Sequence, residues 1–463
     1  MQPRGVLALA LLIYSAVLLH FGRQLAARRG GIRVPVGTRA TELPTLSTWQ
    51  APHASRRMRI YVYTDLPSRF NEEIRRENRK CASSMFAAEV AIHNFLLHST
   101  VRTNDPDNAD LFFVPVYSTC RFTAFAGGGP DPWEGRRTMS SAVDWLREHH
   151  RKYWTANQGR DHIFMATHDY ATCFDYKRSR ATDPLSVVRN SIVLQTFGDT
   201  KSPCYNAEHH IVIPPFMPTR PTRPAEGRAF LLQANWRELT RTTASVVQTA
   251  GKKPNGLLSD AMYHRDINCF FIGQLEWEDA NGNIDVEYSA GIRQTLRRLY
   301  EDDPWFLVKH VTRDGKGAVG NSLYISYLER SVFCLAPAGF APWTKRFFES
   351  IIHGCIPVVI ADTLVLPFES QLDYNRLVVR VSQDELAQGL LKTRLQAISE
   401  ETRSNMQRSL AAAKEAFLFR FHTDHPAAVG WVEDLMDRDG GNAFDYVMRE
   451  LAAKKETWVN ADF

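Results

Sequence analysis

Arg346 and Glu349 have the chemical types and the spacing to bind a phosphate and a hydroxyl-rich group together. They are three residues apart in segment 345–353, whose apolar positions predict an amphipathic helix, so both side chains lie on one helix face. A guanidinium can bind phosphate through two parallel hydrogen bonds, and a carboxylate accepts hydrogen bonds from sugar hydroxyls. A solvated ion pair has the same spacing, so the pattern alone leaves both interpretations open.

His168 and Asp169 form a second candidate group, because a short apolar strand predicted within segment 159–169 ends directly in them. A histidine and a carboxylate at the end of a strand could act as a general base and its orienting partner, or as a base alone. A hydrogen-bonded pair that shapes a loop is the alternative. Strand ends are where the chemistry of α/β domains takes place, which keeps the catalytic interpretation open.

Arg346 and Glu349 are positioned by segment 331–369. The pattern of this segment predicts a strand, a loop, a helix, a turn and a second strand. The apolar runs 332–335 and 356–360 are typical of buried strands. Thr344 can cap the helix between them, and Gly354 can end it. A strand–helix–strand unit predicts parallel strands, and the start of its helix lies at the carboxyl end of the sheet, where α/β proteins bind ligands.

The rest of the chain alternates strands and helices, so two α/β domains are expected. The predicted strands are 59–64, 111–116, the short strand within 159–169, 191–197, 210–213, 230–233 and 377–381. The predicted helices are 81–97, 140–150, 322–330, 399–417, 443–454 and one that segment 288–293 leads into and that reaches about residue 300. A capping box is predicted at 382–385.

Composition excludes some functions. A net charge of +5 over 463 residues, without a block of lysine and arginine, does not indicate a nucleic-acid binder. The acidic pairs Asp105/Asp107 and Asp437/Asp439 are interpreted as a turn and a helix end, so no catalytic metal is expected.

Seven cysteines lack zinc-site spacing. In a secretory lumen, disulfides are expected among the first five, whereas the last two lie in apolar strand contexts and are expected to be buried thiols. The seven are Cys81, Cys120, Cys173, Cys204, Cys269, Cys334 and Cys355.

An uncharged apolar stretch of 18 residues at 5–22 predicts a membrane anchor rather than a cleaved signal peptide. Arginines lie on both sides of it, so charge alone leaves its orientation open. The following residues lack periodicity, like a stem. The expected organisation is an anchor at 1–25, a stem or linker at 26–56, an N-terminal domain at 57–225, a C-terminal domain at 226–395 and helices at 396–463.

Four blocks of this sequence together resemble the exostosin-type glycosyltransferases (glycosyltransferase family 47) over about residues 57–400. They are 81–120, 159–173, 288–294 and the segment FCLAPAGFAPWTKRFFESIIHGCIPVVIADTLVLPF, 333–368. The last block looks like the family's donor-site signature. The first is most similar to the plant irregular-xylem-type xylan xylosyltransferase branch.

The resemblance implies a GT-B architecture, in which two Rossmann-like domains face each other across a cleft, in addition to the membrane anchor. The N-terminal domain would hold a polysaccharide acceptor and the C-terminal domain a UDP-sugar. It also implies inverting transfer without a metal or other cofactor, in a type II protein of the Golgi lumen that could join other glycosyltransferases in a complex.

Carried over by position, the resemblance implies site residues on both domains. His168 or Asp169 would be the base. The donor would be bound by Arg293, Arg346, Glu349, Gly339, Trp343, Thr344 and Asp362. The chain departs from the family at Thr344-Lys345, where Ser-Pro is usual, and at 230–237, where many members carry Arg-Gly.

The expected reaction is β-1,4-xylosyl transfer from UDP-xylose during xylan synthesis. Glucuronosyl, galactosyl or arabinosyl transfer remains open. Two alternatives are not enzymes: a scaffold subunit of a polysaccharide synthase complex, and a lectin-like binder that uses aromatic residues of the N-terminal domain. Those residues would be Trp133, Tyr153 and Trp154.

Overall fold

The computed structural model of the chain describes residues 58–122, 131–169, 171–173, 185–217, 265–278, 283–312, 315–420 and 441–459. The predicted anchor and stem, the predicted strand 230–233 and the pair Asp437/Asp439 lie outside these residues. None of the helices within the described ranges is both long enough and apolar enough to cross a bilayer.

Thirteen short strands are present in the described ranges. They are β1 (Ile60–Val62), β2 (Arg102–Thr103), β3 (Leu111–Phe113), β4 (His162–Ala166), β5 (Ile192–Gln195), β6 (Gly198–Asp199), β7 (His210–Val212), β8 (Ile267–Gly273), β9 (Phe306–His310), β10 (Ser331–Pro337), β11 (Ile356–Ile360), β12 (Leu364–Val365) and β13 (Val379–Arg380).

The α-helices of the described ranges lie between these strands and after the last one. They are α1 (Glu72–Glu77), α2 (Ala88–His98), α3 (Ser118–Phe122), α4 (Pro132–His149), α5 (Arg151–Ala156), α6 (Ile292–Tyr300), α7 (Asn321–Arg330), α8 (Lys345–Ile352), α9 (Gln383–Ala387), α10 (Leu391–Gln396), α11 (Glu400–Ala413) and α12 (Ala443–Val459).

Six strands form a first sheet in the order β2-β1-β3-β4-β5-β7, and all of its pairings are parallel. Alternate side chains enter two different cores: Phe113 and Met165 pack on one face, and Phe112 and Phe164 on the other. Parallel strands read as nearly continuous apolar runs because both faces of their sheet are covered. The predicted mixed α/β fold with parallel sheets is therefore confirmed.

A second parallel sheet has the order β13-β11-β10-β8-β9. The predicted unit at 331–369 is confirmed: Phe333 pairs with Ile356 in parallel register, and α8 connects the two strands. Gly354 follows the helix with a φ of 67°, a left-handed conformation that favours glycine. The sequence analysis did not predict β8 and β9, two of this sheet's strands.

Two features join the residues of the two sheets. Strands β6 and β12 form an antiparallel ribbon in which Val365 faces Gly198, where an added Cβ would come within 2.8 Å of the Val365 side chain. The last helix, α12, returns to the first sheet's side: Phe444 stacks on Phe95 with ring centroids 4.2 Å apart, and Lys454 donates to backbone carbonyls of residues 207 and 208.

The cysteine prediction was wrong for one pair. Cys334 and Cys355 form a disulfide, because the register of β10 on β11 brings their Cα atoms within 5.9 Å. The expectation of disulfides among the first five cysteines is confirmed by Cys81–Cys120 and Cys173–Cys204, and Cys269 is a buried free thiol.

Candidate active site

Arg346 lies in the first turn of α8, at the carboxyl ends of β8 and β10. Its Nε donates to the Ile272 carbonyl at 2.9 Å, and its guanidinium lies 5.0 Å from the ring centroid of Phe271. Gly273 makes room for this side chain, since a Cβ there would be 2.2 Å from Nη2. Within the described residues both Nη atoms of Arg346 are left for a ligand.

Arg293 lies at the ends of the same two strands as Arg346 and is only 4% exposed. Its guanidinium makes four hydrogen bonds, to the carbonyls of Gln274, Pro337 and Ala338 and to the Tyr288 hydroxyl. Burial, with a smaller contribution from the charge of Arg346, lowers the pKa of Arg293 to about 10. Arg293 thus contributes positive charge to the site, while most of its N–H groups donate to backbone carbonyls.

A strained turn places Arg293. Ser289, Ala290 and Gly291 have consecutive positive φ values of 59°, 50° and 76°, which the two non-glycine residues rarely adopt. The Ser289 hydroxyl donates to the Ala338 carbonyl at 2.6 Å, and Arg293 Nε donates to the same oxygen at 2.8 Å. The turn therefore holds the start of the loop that connects β10 to α8.

The two arginines carry uncompensated positive charge. Among the residues that the structure describes, their protein acceptors are backbone carbonyls and one phenol, with no carboxylate. Glu349 instead accepts from the Tyr324 hydroxyl at 2.8 Å and pairs with Lys345 at 2.8 Å. The simple Arg–Glu ion pair on a solvated helix is therefore not what the structure contains.

The other predicted donor residues lie in the loops that follow β10 and β11 of the same sheet. A Cβ added at Gly339 would lie 3.2 Å from Nη2 of Arg293. Thr344 is the residue before α8 and is buried, but its side chain makes no capping hydrogen bond, contrary to the predicted cap. Asp362 is exposed at the end of β11, where its carboxylate accepts from the Gln383 backbone at the start of α9. No contact joins Asp362 to the arginines within the described part of the chain.

The predicted base candidates lie at the end of β4 and have different environments. His168 is buried, with its ring 4.6 Å from that of Phe86, and burial lowers its pKa to about 3. Burial instead raises the pKa of Asp169 to about 6, against the opposing effect of its hydrogen bond from Trp343. Near neutral pH the histidine is therefore neutral and the aspartate is ionised and poised to accept a proton.

The indole of Trp343 brings the two groups of candidates together. Its Nε1 donates to Oδ1 of Asp169 at 2.8 Å, across 174 residues of sequence. Trp343 lies in the loop that the Arg293 turn holds, one residue before Thr344, the N-cap residue of α8. This hydrogen bond thus connects Asp169, at the end of a strand of the first sheet, to the loop that leads to Arg346 at the second sheet.

Glu89 is a buried acid whose environment the sequence analysis missed. It accepts from the backbone amides of Thr119 and Cys120 at 2.8 and 3.1 Å, and burial raises its pKa to about 7. The Thr119 hydroxyl accepts from the backbone amide of Thr167, next to His168. Glu89 stands among apolar residues of a helix, which was the only sequence signal of its burial.

Comparison with known proteins identifies relatives over most of the chain. The Exostosin GT47 domain matches residues 54–398. Over 357 residues the chain is 37% identical to a probable glucuronoxylan glucuronosyltransferase of Arabidopsis thaliana, covering 76% of this chain and 66% of that protein.

Two further relatives match over a longer region. The chain is 31% identical over 402 residues to the probable glucuronosyltransferase GUT1 of Oryza sativa subsp. japonica, covering 86% of this chain and 81% of that one. It is 31% identical over 404 residues to the probable beta-1,4-xylosyltransferase IRX10 of Arabidopsis thaliana, covering 86% and 82%.

Proposed function

The chain belongs to the Exostosin GT47 family of glycosyltransferases, and from this premise we propose that it is an inverting enzyme of GT-B architecture that transfers a sugar from a UDP-sugar to xylan. The observation that carries the proposal is the hydrogen bond from Trp343 to Asp169. This bond joins an ionisable acid at the end of the first sheet to the loop that precedes Arg346 at the end of the second. Sugar transfer needs both a base for the acceptor hydroxyl and a cation for the leaving diphosphate.

Asp169 is the proposed base. Its carboxylate takes the proton of an acceptor hydroxyl, whose oxygen attacks the anomeric carbon as the bond from that carbon to the diphosphate breaks. The indole fixes Oδ1, so Oδ2 is the atom that accepts the proton. His168 is a poor alternative because burial lowers its pKa to about 3, which makes it a weak base.

Arg346 is the proposed ligand of the departing diphosphate. Its two Nη atoms and the amino end of α8 stabilise the negative charge that develops on the leaving group, with Arg293 adding positive charge from beneath. Glu349 is placed one turn further along the helix to accept ribose hydroxyls, with Tyr324 orienting it. The two guanidiniums fill the role that a divalent metal has in other transferases, so we expect transfer to continue in EDTA.

Xylose is the proposed sugar. Glucuronic acid carries a carboxylate that calls for a further cation, and Lys345, the residue next to Arg346, already pairs with Glu349. Glucuronosyl transfer is the second candidate, favoured by the name of the relative that is 37% identical. The proposed location is the Golgi lumen, with residues 1–25 as anchor; three disulfides support an oxidising compartment.

The test is a donor panel on the full-length chain. UDP-xylose, UDP-glucuronic acid, UDP-galactose and UDP-arabinose are each offered with fluorescently labelled β-1,4-xylohexaose, with and without EDTA, and products are resolved by mass. We expect a mass gain of one pentose from UDP-xylose in both conditions. A folded chain that transfers no sugar from any donor would support the scaffold subunit instead.

A further inference from the structure

An exposed apolar patch adjoins the candidate site. Six large hydrophobic side chains are exposed among the described residues, and three of them lie on segments that both contact Trp277: Ile284 at 42%, Val286 at 76% and Phe340 at 36%. Single exposed hydrophobic residues are ordinary, but a cluster beside a functional site indicates a binding surface.

Phe340 is held in place by two other rings. Its ring lies 4.5 Å from that of Trp277 and 5.0 Å from that of Tyr288, both in edge contacts. The segment that carries Ile284 and Val286 is fixed to Trp277 by the hydrogen bond from Asp285 N to the Trp277 carbonyl, at 2.8 Å. We call Trp277, Ile284, Val286, Tyr288 and Phe340 the aromatic patch.

The aromatic patch is continuous with the catalytic machinery proposed above. Phe340 lies three residues before Trp343, the partner of Asp169, in the same loop. The Tyr288 hydroxyl accepts from Arg293 at 2.7 Å, so the base of the patch is bonded to the arginine that holds that loop. A chain bound at Phe340 would therefore contact the same loop whose Trp343 donates to the carboxylate of Asp169.

The charge around the patch selects among ligands. Carboxylates of Glu278, Asp285 and Glu287 border it at the surface, and the nearby cation Arg297 is already paired with two glutamates. The other cation in contact with the patch, Arg293, is buried beneath Tyr288. Negative charge at the rim repels phosphates and acidic chains, whereas carboxylates accept hydrogen bonds from sugar hydroxyls. Aromatic rings complement the apolar C–H faces of a neutral sugar chain.

We propose that the aromatic patch binds the neutral polysaccharide acceptor, at sugar units beyond the one that reacts. This inference rests on the proposed glycosyl transfer and adds a surface of the C-terminal half to acceptor binding. It predicts that longer acceptors bind more tightly because they reach Phe340 and Val286, while acceptors too short to reach them gain nothing from the patch.

Binding without catalysis is measured first, by calorimetry on the full-length chain with β-1,4-xylohexaose, β-1,4-xylobiose, an anionic galacturonate hexamer and UDP as probes. Phe340→Ala is expected to weaken xylohexaose binding on the order of tenfold, by removing one aromatic contact. Val286→Asp, at an exposed position that does not risk the fold, is expected to weaken it in the same direction. Leu390→Ala is the matched control, an exposed leucine elsewhere in the described chain.

Each outcome decides the inference. Loss of xylohexaose affinity in both variants, with UDP and xylobiose affinity unchanged and weak binding of the galacturonate hexamer, supports it. Unchanged xylohexaose affinity in both variants overturns it, as does a loss of UDP affinity instead, which would assign the patch to the nucleotide. If the donor panel shows no transfer but xylohexaose binding still depends on Phe340, the proposed reaction fails and the patch stands.

Discussion

The carboxyl ends of the two parallel sheets hold opposite kinds of chemistry. At the first sheet, burial raises the pKa of Asp169 to about 6 and leaves His168 neutral, so this edge can exchange a proton. At the second sheet, Arg293 and Arg346 keep positive charge without a carboxylate partner among the described residues. This edge can therefore hold an anion.

This difference is the division of roles that the proposed transfer reaction needs. Both edges use the same physical position, the ends of parallel strands. Desolvation disfavours the charged form at both edges, so what differs is the group that it acts on. It makes the carboxylate of Asp169 more basic, whereas it lowers the pKa of Arg293 only to about 10, so the arginine keeps its charge near neutral pH. Trp343 connects the two by donating to Asp169.

The largest expected effect comes from removing the proton acceptor. Asp169→Asn keeps the indole hydrogen bond but not the basicity, so kcat for sugar transfer should fall on the order of 10²- to 10⁴-fold, while UDP affinity stays at the wild-type value. Initial rates and calorimetry measure both. Asp144→Asn, at an exposed carboxylate of α4, is the control and should change neither.

Removing the proposed anion-binding charge should have the next largest effect. Unlike Asp169→Asn, this change should weaken UDP binding. Arg346→Ala is expected to lower kcat/KM on the order of 10²- to 10³-fold and to weaken UDP binding, because the leaving diphosphate loses its ligand. Arg330→Ala removes an exposed arginine of α7 as the matched control. Wild-type UDP affinity in Arg346→Ala would end the proposed contrast between the edges.

A third change separates stability from chemistry. Replacing Cys334 and Cys355 by alanine opens a loop of sequence separation 21, which should lower the free energy of unfolding by about 3 kcal/mol. The denaturant midpoint measures this loss. Because the disulfide lies away from the strand ends that carry the site, kcat and donor KM below the transition should stay unchanged. A changed donor KM would mean that this bond also shapes the second edge.

The smallest effect expected concerns Glu349. Tyr324→Phe removes one hydroxyl donor from its carboxylate, which should raise the donor KM roughly fivefold, equivalent to about 1 kcal/mol. Tyr327→Phe on the same helix is the matched control. Equal donor KM values for the two variants would remove Glu349 from the proposed ribose contact.

Local features of the fold could be predicted from the sequence, and contacts across it could not. Segment 331–369 carries strand, helix and turn signals within a few residues, and its strands and helix are confirmed, although the side chain of Thr344 does not cap the helix. The Cys334–Cys355 bond was missed because an apolar context describes burial but not register, which is set by pairing of β10 with β11. Strand β9 ends in Lys309 and His310 at a sheet edge, so its apolar run is short.

The candidate site shows the same limit. The types of Arg346, Glu349 and Asp169 indicated their chemistry, yet the indole bond to Asp169 spans 174 residues and leaves no local pattern. The burial of Arg293 could not be predicted either. Helix spacing indicates which face a residue lies on, but it does not indicate the four acceptors that surround this guanidinium.

The most direct test of the account is the pH dependence of kcat/KM for wild type and Trp343→Phe. Asp169 accepts a proton only when ionised, so wild-type kcat/KM should fall about tenfold per pH unit below its pKa of about 6. The indole hydrogen bond lowers that pKa, so its loss should move the acidic limb to higher pH. A limb at the same pH in both proteins, or no limb near pH 6, would contradict the assignment of Asp169 as the base.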